Sequence, residues 1–190
     1  MFKRILVLSA SPKKDGNTEI LVKWFIEGAH SKGARVELVR TAFLKYKTIG
    51  CTSCRSCQKL AEYTCVINDE AKPVLAKMAK VDVIVMATPL YFFSASTQLK
   101  IIFDRMFSLY KWDNAAGTMQ TVLKGKTLVL IASAFEDVGL DALKKPFALT
   151  AAYTGMKLKS LLIPNAGISG EIAKNKGVRE KAVKLGKSVA

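Results

Sequence analysis

The stretch Ile5-Leu6-Val7-Leu8-Ser9-Ala10-Ser11-Pro12-Lys13-Lys14-Asp15-Gly16-Asn17-Thr18 decides how the rest of the chain is read. Its apolar half closes a strand over Phe2 to Leu8, and an unbroken apolar run of this size belongs to a strand covered on both faces. Its polar half opens a helix over Gly16 to Ala29, with Ile20, Leu21, Trp24 and Phe25 for the buried side. Strand, polar loop and helix in that order form the first unit of an open α/β sheet, in which ligands sit beyond the carboxyl ends of the strands.

The same alternation continues outward. Further strands are expected at Arg35 to Val39, Val81 to Ala87, Thr127 to Ala132 and Met156 to Ile163. Helices are expected around Ala71, Val74, Leu75 and Met78 (capped by Asn68 or Asp69), over Ser96 to Leu109, over Leu140 to Thr154 with an interruption near Pro146, and over Ile172 to Ser188. The pattern predicts a three-layer α/β sandwich around a five-stranded parallel sheet of order 2-1-3-4-5. Residues 1–190 read as one domain, and residues 41–68 as an insertion after strand 2 that is far longer than the usual connection of about two to six residues.

Composition narrows the function classes. Half of the 190 residues are hydrophobic, yet no uncharged apolar run reaches the roughly 18 residues of a membrane span. Ile5 to Leu8 are too few for a signal-peptide core of about 7 to 15 residues, so a cytoplasmic protein is expected. Lys and Arg number 30 against 15 Asp and Glu, a net charge of +15. The excess is spread over both halves of the chain, which disfavours a nucleic-acid tether and leaves a basic binding module as the minor alternative. His30, the only histidine, reads as a surface residue complementing a helix end, and this removes most imidazole-based schemes.

Two motifs carry binding chemistry. The loop from Ser9 to Thr18 offers the hydroxyls of Ser9, Ser11 and Thr18, the Asn17 amide, Lys13, Gly16 and a helix N-terminus, and it lacks the glycine patterns of dinucleotide and triphosphate loops. That set suits a single phosphate monoester; the alternative is that Asn17 and Thr18 merely cap a helix. At the exit of strand 3, Pro89, Leu90, Tyr91, Phe92 and Phe93 lie at the same sheet edge, beside the reversal of strand order, where a flat apolar ring could rest. Core or subunit interface is the competing use of these aromatics. Asp104 and Arg105 are read as an intrahelical or intersubunit salt bridge.

All four cysteines fall in one segment, Cys51-x2-Cys54-x2-Cys57-x7-Cys65. Clustered thiols without a disulfide framework point to metal or redox work. If the run were helical, thiols three apart would share a face and grip one group. Four soft thiolates suit [4Fe-4S] or zinc, and the compact run is closer to a ferredoxin's than to paired zinc knuckles. Arg55 and Lys59 would offset a cluster's negative charge, or would lower thiol pKa values in a metal-free protein.

The Ser9 to Thr18 loop, the cysteine segment, and Pro89-x-Tyr91 followed by Leu99-Lys100 and Asp104-Arg105 together resemble the flavodoxin-like NAD(P)H-dependent FMN reductases, and within them the iron-sulfur flavoproteins. The resemblance implies a flavodoxin-like fold and FMN, with its phosphate in the loop from Ser9 to Thr18 and its ring against Pro89, Leu90, Tyr91 and Phe92. It further implies a third contact loop at Ser133 to Asp137, where two acids replace the family's usual glycine pair. It makes Cys51, Cys54, Cys57 and Cys65 ligands of a [4Fe-4S] cluster, ferredoxin or NAD(P)H the redox partner, and the protein a homodimer or homotetramer. The alternative within the same resemblance is a cluster-free NAD(P)H-dependent FMN or quinone reductase.

Overall fold

The computed structural model describes residues 2–113 and 115–190. Its strands are β1 (Arg4–Ser9), β2 (Arg35–Arg40), β3 (Val83–Tyr91), β4 (Ser94–Ala95), β5 (Tyr110–Asp113), β6 (Thr118–Thr121), β7 (Thr127–Ser133) and β8 (Lys157–Ile163). Its helices are α1 (Asn17–His30), α2 (Ala71–Met78), α3 (Thr97–Arg105), α4 (Leu140–Thr154) and α5 (Lys176–Lys187). The main sheet runs β2-β1-β3-β7-β8, all parallel, so β7 and β8 are the fourth and fifth strands of the expected order.

Alternation along the strands builds two cores. Leu6, Leu8, Ile84, Met86, Leu128 and Leu130 face α2, α3 and α4, whereas Ile5, Val7, Val83, Val85, Val129 and Ile131 face α1 and α5. Each such side chain, once fully buried, contributes roughly 1.5–3 kcal/mol. Where α1 crosses α5, Gly28 meets the Val183 carbonyl and Gly186 meets that of Phe25 so closely that no Cβ fits at either position. Among the described residues, no helix is long and apolar enough to cross a membrane.

Several elements depart from the sequence expectation, each for a local reason. The β3 strand continues past Ala87 to Tyr91, because Thr88 and Pro89 still pair with Ala132 and Ser133 and the last two residues pair with β4. The α4 helix runs unbroken through Pro146, which lies on its exposed side, where the carbonyl it frees meets solvent. The expected last helix divides at Asn175, whose side chain accepts from the Val178 N–H at 3.1 Å and caps α5. Helix α3 ends at Arg105 and tightens into a 3-10 turn over Met106–Leu109. The antiparallel hairpin of β5 and β6 was not anticipated at all.

Candidate flavin edge and cysteine pocket

Parallel register brings the ends of β1, β3 and β7 to one edge, with Ser9 opposite Ala87 and Pro89 opposite Ser133. Ser96 locks the first two exits together: its hydroxyl donates to Ala10 O at 3.1 Å and its N–H donates to Thr88 Oγ1 at 2.9 Å. Thr18 and Ser133 share a hydrogen bond of 2.9 Å, so the loops after β1 and β7 meet as well.

The proposed anion loop divides into supports and free donors. Ser9 is fully buried and gives its hydroxyl to Glu19, which lies 3.4 Å from Arg40 Nε. The Asn17 amide donates to Ala166 O at 2.9 Å and to Ile168 O at 2.8 Å, and its oxygen accepts from Ile172 N–H at 3.4 Å. Asn17 therefore ties down the loop after β8 rather than standing free. Ser11 holds the turn itself, bonding Lys13 O at 3.0 Å and Lys13 N–H at 3.2 Å. Gly16, the residue before the helix, makes no side-chain cap, and among the described residues the main-chain N–H groups of Asn17, Thr18 and Glu19 have no protein acceptor although all three residues are buried. Buried unpaired N–H groups at a helix start, backed by the helix dipole, fit an anion.

The second half of the edge is aromatic. Phe92 and Phe93 form the two-residue turn between β3 and β4, and both have positive φ (44° and 63°). A turn with both central residues left-handed normally takes Asn-Gly; two phenylalanines there store strain of order 1–3 kcal/mol each. Phe92 is 99% exposed, and Tyr91 and Phe93 are about half exposed. Phe93 lies tightly on left-handed Gly139, and Phe135 on Gly167, so the turns after β7 and β8 brace this apolar rim. Pro89 and Leu90 are half-buried behind it.

The cysteines lie elsewhere, at the far end of α3. All four line one small pocket together with Ile67, Arg105 and Ser108. Cys57 and Cys65 are buried, while Cys51 and Cys54 are exposed. The run is not one helix: only Cys57 is helical, on a 3-10 turn over Ser56–Lys59, and Ser53 and Arg55 are left-handed. Among the described residues, no three metal-ligating side chains converge closely enough in this structure to hold an ion. The donor set is nonetheless four thiols on one pocket. Hydrogen bonds from the Ser56 N–H, then from the hydroxyls of Ser56 and Thr52, hold the Cys54 thiol below its usual pKa, while burial pushes the Cys57 thiol up.

The unexpected hairpin is the brace of this region. Gln58 donates to Tyr110 O at 3.0 Å and accepts from Trp112 N–H at 3.1 Å, and Lys111 reaches Cys57 O and Glu62 O. A cavity of about 490 Å³ opens beside it, lined by Cys51, Arg55, Phe103, Phe107, Tyr110 and Tyr153 among others. Of the salt bridges expected at Asp104 and Arg105, the intrahelical one is present at Asp104, while that of Arg105 is neither within the helix nor between subunits. Lys100 takes Asp104, and Arg105 turns inward to a bidentate pair with Asp69 at 2.7 and 2.9 Å.

A family model for NADPH-dependent FMN reductases matches residues 3–160. An iron-sulfur flavoprotein of Methanocaldococcus jannaschii is 32% identical over 103 residues, 54% of this chain and 51% of that protein. An iron-sulfur flavoprotein of Methanosarcina thermophila is 31% identical over the same shares. The match thus spans about half the length of each relative. In fold, the chain superposes on an NAD(P)H:quinone oxidoreductase from Methanothermobacter marburgensis with a TM-score of 0.72 at 13% identity, covering 99% of this chain and 97% of that one. It superposes on an FMN-dependent NADH-azoreductase from Bacillus anthracis, solved with FMN, with a TM-score of 0.69 at 16% identity, covering 97% and 100%. With the strand order, the anion-ready helix start and a family match over most of its length, the chain belongs to the NADPH-dependent FMN reductase family of flavin-dependent oxidoreductases.

Proposed function

We propose that the protein is an FMN-dependent oxidoreductase of the iron-sulfur flavoprotein kind, with FMN at the sheet edge and a [4Fe-4S] cluster on Cys51, Cys54, Cys57 and Cys65. The observation that carries the flavin half is the buried helix start at Asn17, Thr18 and Glu19, whose unpaired N–H groups stand at the same edge as the aromatic turn. There Ser11, Lys13, Gly16 and Thr18 enclose the phosphate, Ser9 and Asn17 fix the loop from beneath, and Ser133 joins it through Thr18. Pro89, Leu90, Tyr91 and Phe92 give the ring an apolar seat and exclude water from one side. FMN, when bound, exchanges one or two electrons and so links a single-electron carrier such as ferredoxin to a two-electron acceptor. A second copy of the chain is the cover we assign to the exposed Phe92, in a homodimer or homotetramer.

The outward placement of Cys51 and Cys54 favours one alternative, a cluster-free reductase using NAD(P)H as hydride donor. Anaerobic purification with iron, sulfide and flavin analysis separates the two. Flavin with iron and sulfide supports the first reading. Flavin without iron, with steady-state NAD(P)H oxidation, supports the alternative, and a protein that binds no flavin contradicts both.

A further inference from the structure

Arg105 is a buried cation with one nitrogen left unpaired. Its side chain has 0% exposure and that of Asp69 only 2%. The outer nitrogens are used: Nη1 donates to Asp69 Oδ2, and Nη2 to Asp69 Oδ1 and to Ile67 O at 3.3 Å. Nε is the one nitrogen of the three that is buried without an acceptor among the described residues. Unpaired buried donors are rare and call for an explanation. This one belongs to a guanidinium that lines the same small pocket as all four thiols. Cys65, itself buried, lines that pocket beside it. Arg55 lines the same pocket, but it and Lys59 are both exposed where Arg105 is buried.

We propose that Arg105 is the hydrogen-bonding and charge-balancing partner of the sulfur-rich group on Cys51, Cys54, Cys57 and Cys65, with its unpaired Nε–H reserved for a sulfur of that group and Asp69 clamping the fork. The proposal rests on the cluster reading of those cysteines. A cation donating to sulfur stabilises the more negative, reduced state, so its removal lowers the reduction potential. Lysine keeps a charge but supplies neither the fork nor the Nε–H.

The test is an EPR-monitored redox titration of the anaerobically reconstituted full chain and two variants, Arg105→Lys and the double variant Asp69→Asn/Arg105→Gln. The double variant removes the Nε–H while the net charge of the pair stays at zero, so it reads the hydrogen bond alone and serves where the single variant does not fold. The expected result is a reduction equilibrium at least about tenfold less favourable, or about 59 mV lower for a one-electron couple. The flavin potential, read in the same samples, stays within a smaller shift. Iron-loaded variants with the wild-type cluster potential would overturn the proposal. A wild-type chain that takes up no iron or sulfide overturns instead the reading on which it rests, so the two failures are told apart.

Discussion

The flavin edge and the cysteine pocket occupy the two ends of α3, and they are built by different means. The edge is positioned by sheet register: once β1, β3 and β7 are parallel neighbours, Ser9, Ala87 and Ser133 must end side by side. None of the residues lining the pocket belongs to a strand. It hangs from one buried ion pair, one glutamine bracket and a hairpin, joining residues 36 to 54 positions apart. The difference teaches that repetitive backbone hydrogen bonding keeps a site in register with polar contacts such as Asn17 to Ala166 added to it, whereas a loop site depends on single long-range polar contacts. Loss of one such contact should therefore cost the pocket more than any single change costs the edge.

The largest expected effect follows from that. Arg105→Ala leaves Asp69 buried and unpaired, and should lower stability by about 3–5 kcal/mol in urea unfolding. A change within about 1 kcal/mol would show that the pair does not anchor the pocket. At the edge, Asn17→Ala removes three hydrogen bonds, each contributing about 1 kcal/mol. Stability should fall by about 2–3 kcal/mol, with weaker FMN binding by fluorescence titration and an unchanged pocket.

A substitution with the opposite sign sharpens the contrast further. Replacing Phe92 with Asn and Phe93 with Gly gives the turn residues suited to two positive φ values, and should stabilise the chain by about 1–2 kcal/mol while weakening FMN binding about tenfold. Higher stability with unaltered FMN affinity would remove the aromatic turn from the flavin seat.

The effects of pH appear only away from neutrality, and they fall on the cysteine side. Burial opposes the Asp69 charge, but the Arg105 fork and the N–H groups of Lys47 and Ala71 outweigh it and hold its carboxyl below the usual range. With a depressed folded pKa, its contribution is complete above the ordinary aspartate value of about 3.9 and is lost as pH falls below it. Burial pushes Tyr46 and Tyr110 up to about 12. Unfolded tyrosines ionise near 10, so the folded chain binds more protons in between and stability falls as pH rises from about 10 to 12. Hydrogen exchange at pH 11 should show residues 46–65 opening before the strands of the sheet; simultaneous opening would contradict the separation of the two regions.

The sequence signals were strong where periodicity carried them. Ile5 to Leu8, Val83 to Ala87 and Leu128 to Ala132 are apolar runs that could only be central strands, and their order placed the Ser9 to Thr18 loop beside the Tyr91 turn. The loop proposed for the flavin phosphate offers its donors openly in the sequence but not their division of labour. The Ser9 hydroxyl and the Asn17 amide could each reach an anion as well as the hydroxyls of Ser11 and Thr18, and only their contacts with Glu19 and with the loop after β8 mark them as supports. The β5 and β6 strands were illegible because each has only four residues, none of them buried, and the alternation in Tyr110-Lys111-Trp112-Asp113 is too short to distinguish a strand from a loop. Arg105 left one faint trace. It stands four residues after Ile101 and three after Ile102, on the buried stripe of α3, where a charge requires a partner that sequence spacing alone does not name.

The most direct test of the account is the composition and visible spectrum of the anaerobically purified full chain, with FMN, iron and acid-labile sulfide quantified on the same sample. The account predicts one FMN per chain, with its absorption overlaid on the broad band of an iron-sulfur centre, and iron and sulfide lost when Cys57 and Cys65 are replaced while FMN is retained. A colourless protein that takes up neither flavin nor iron would contradict it.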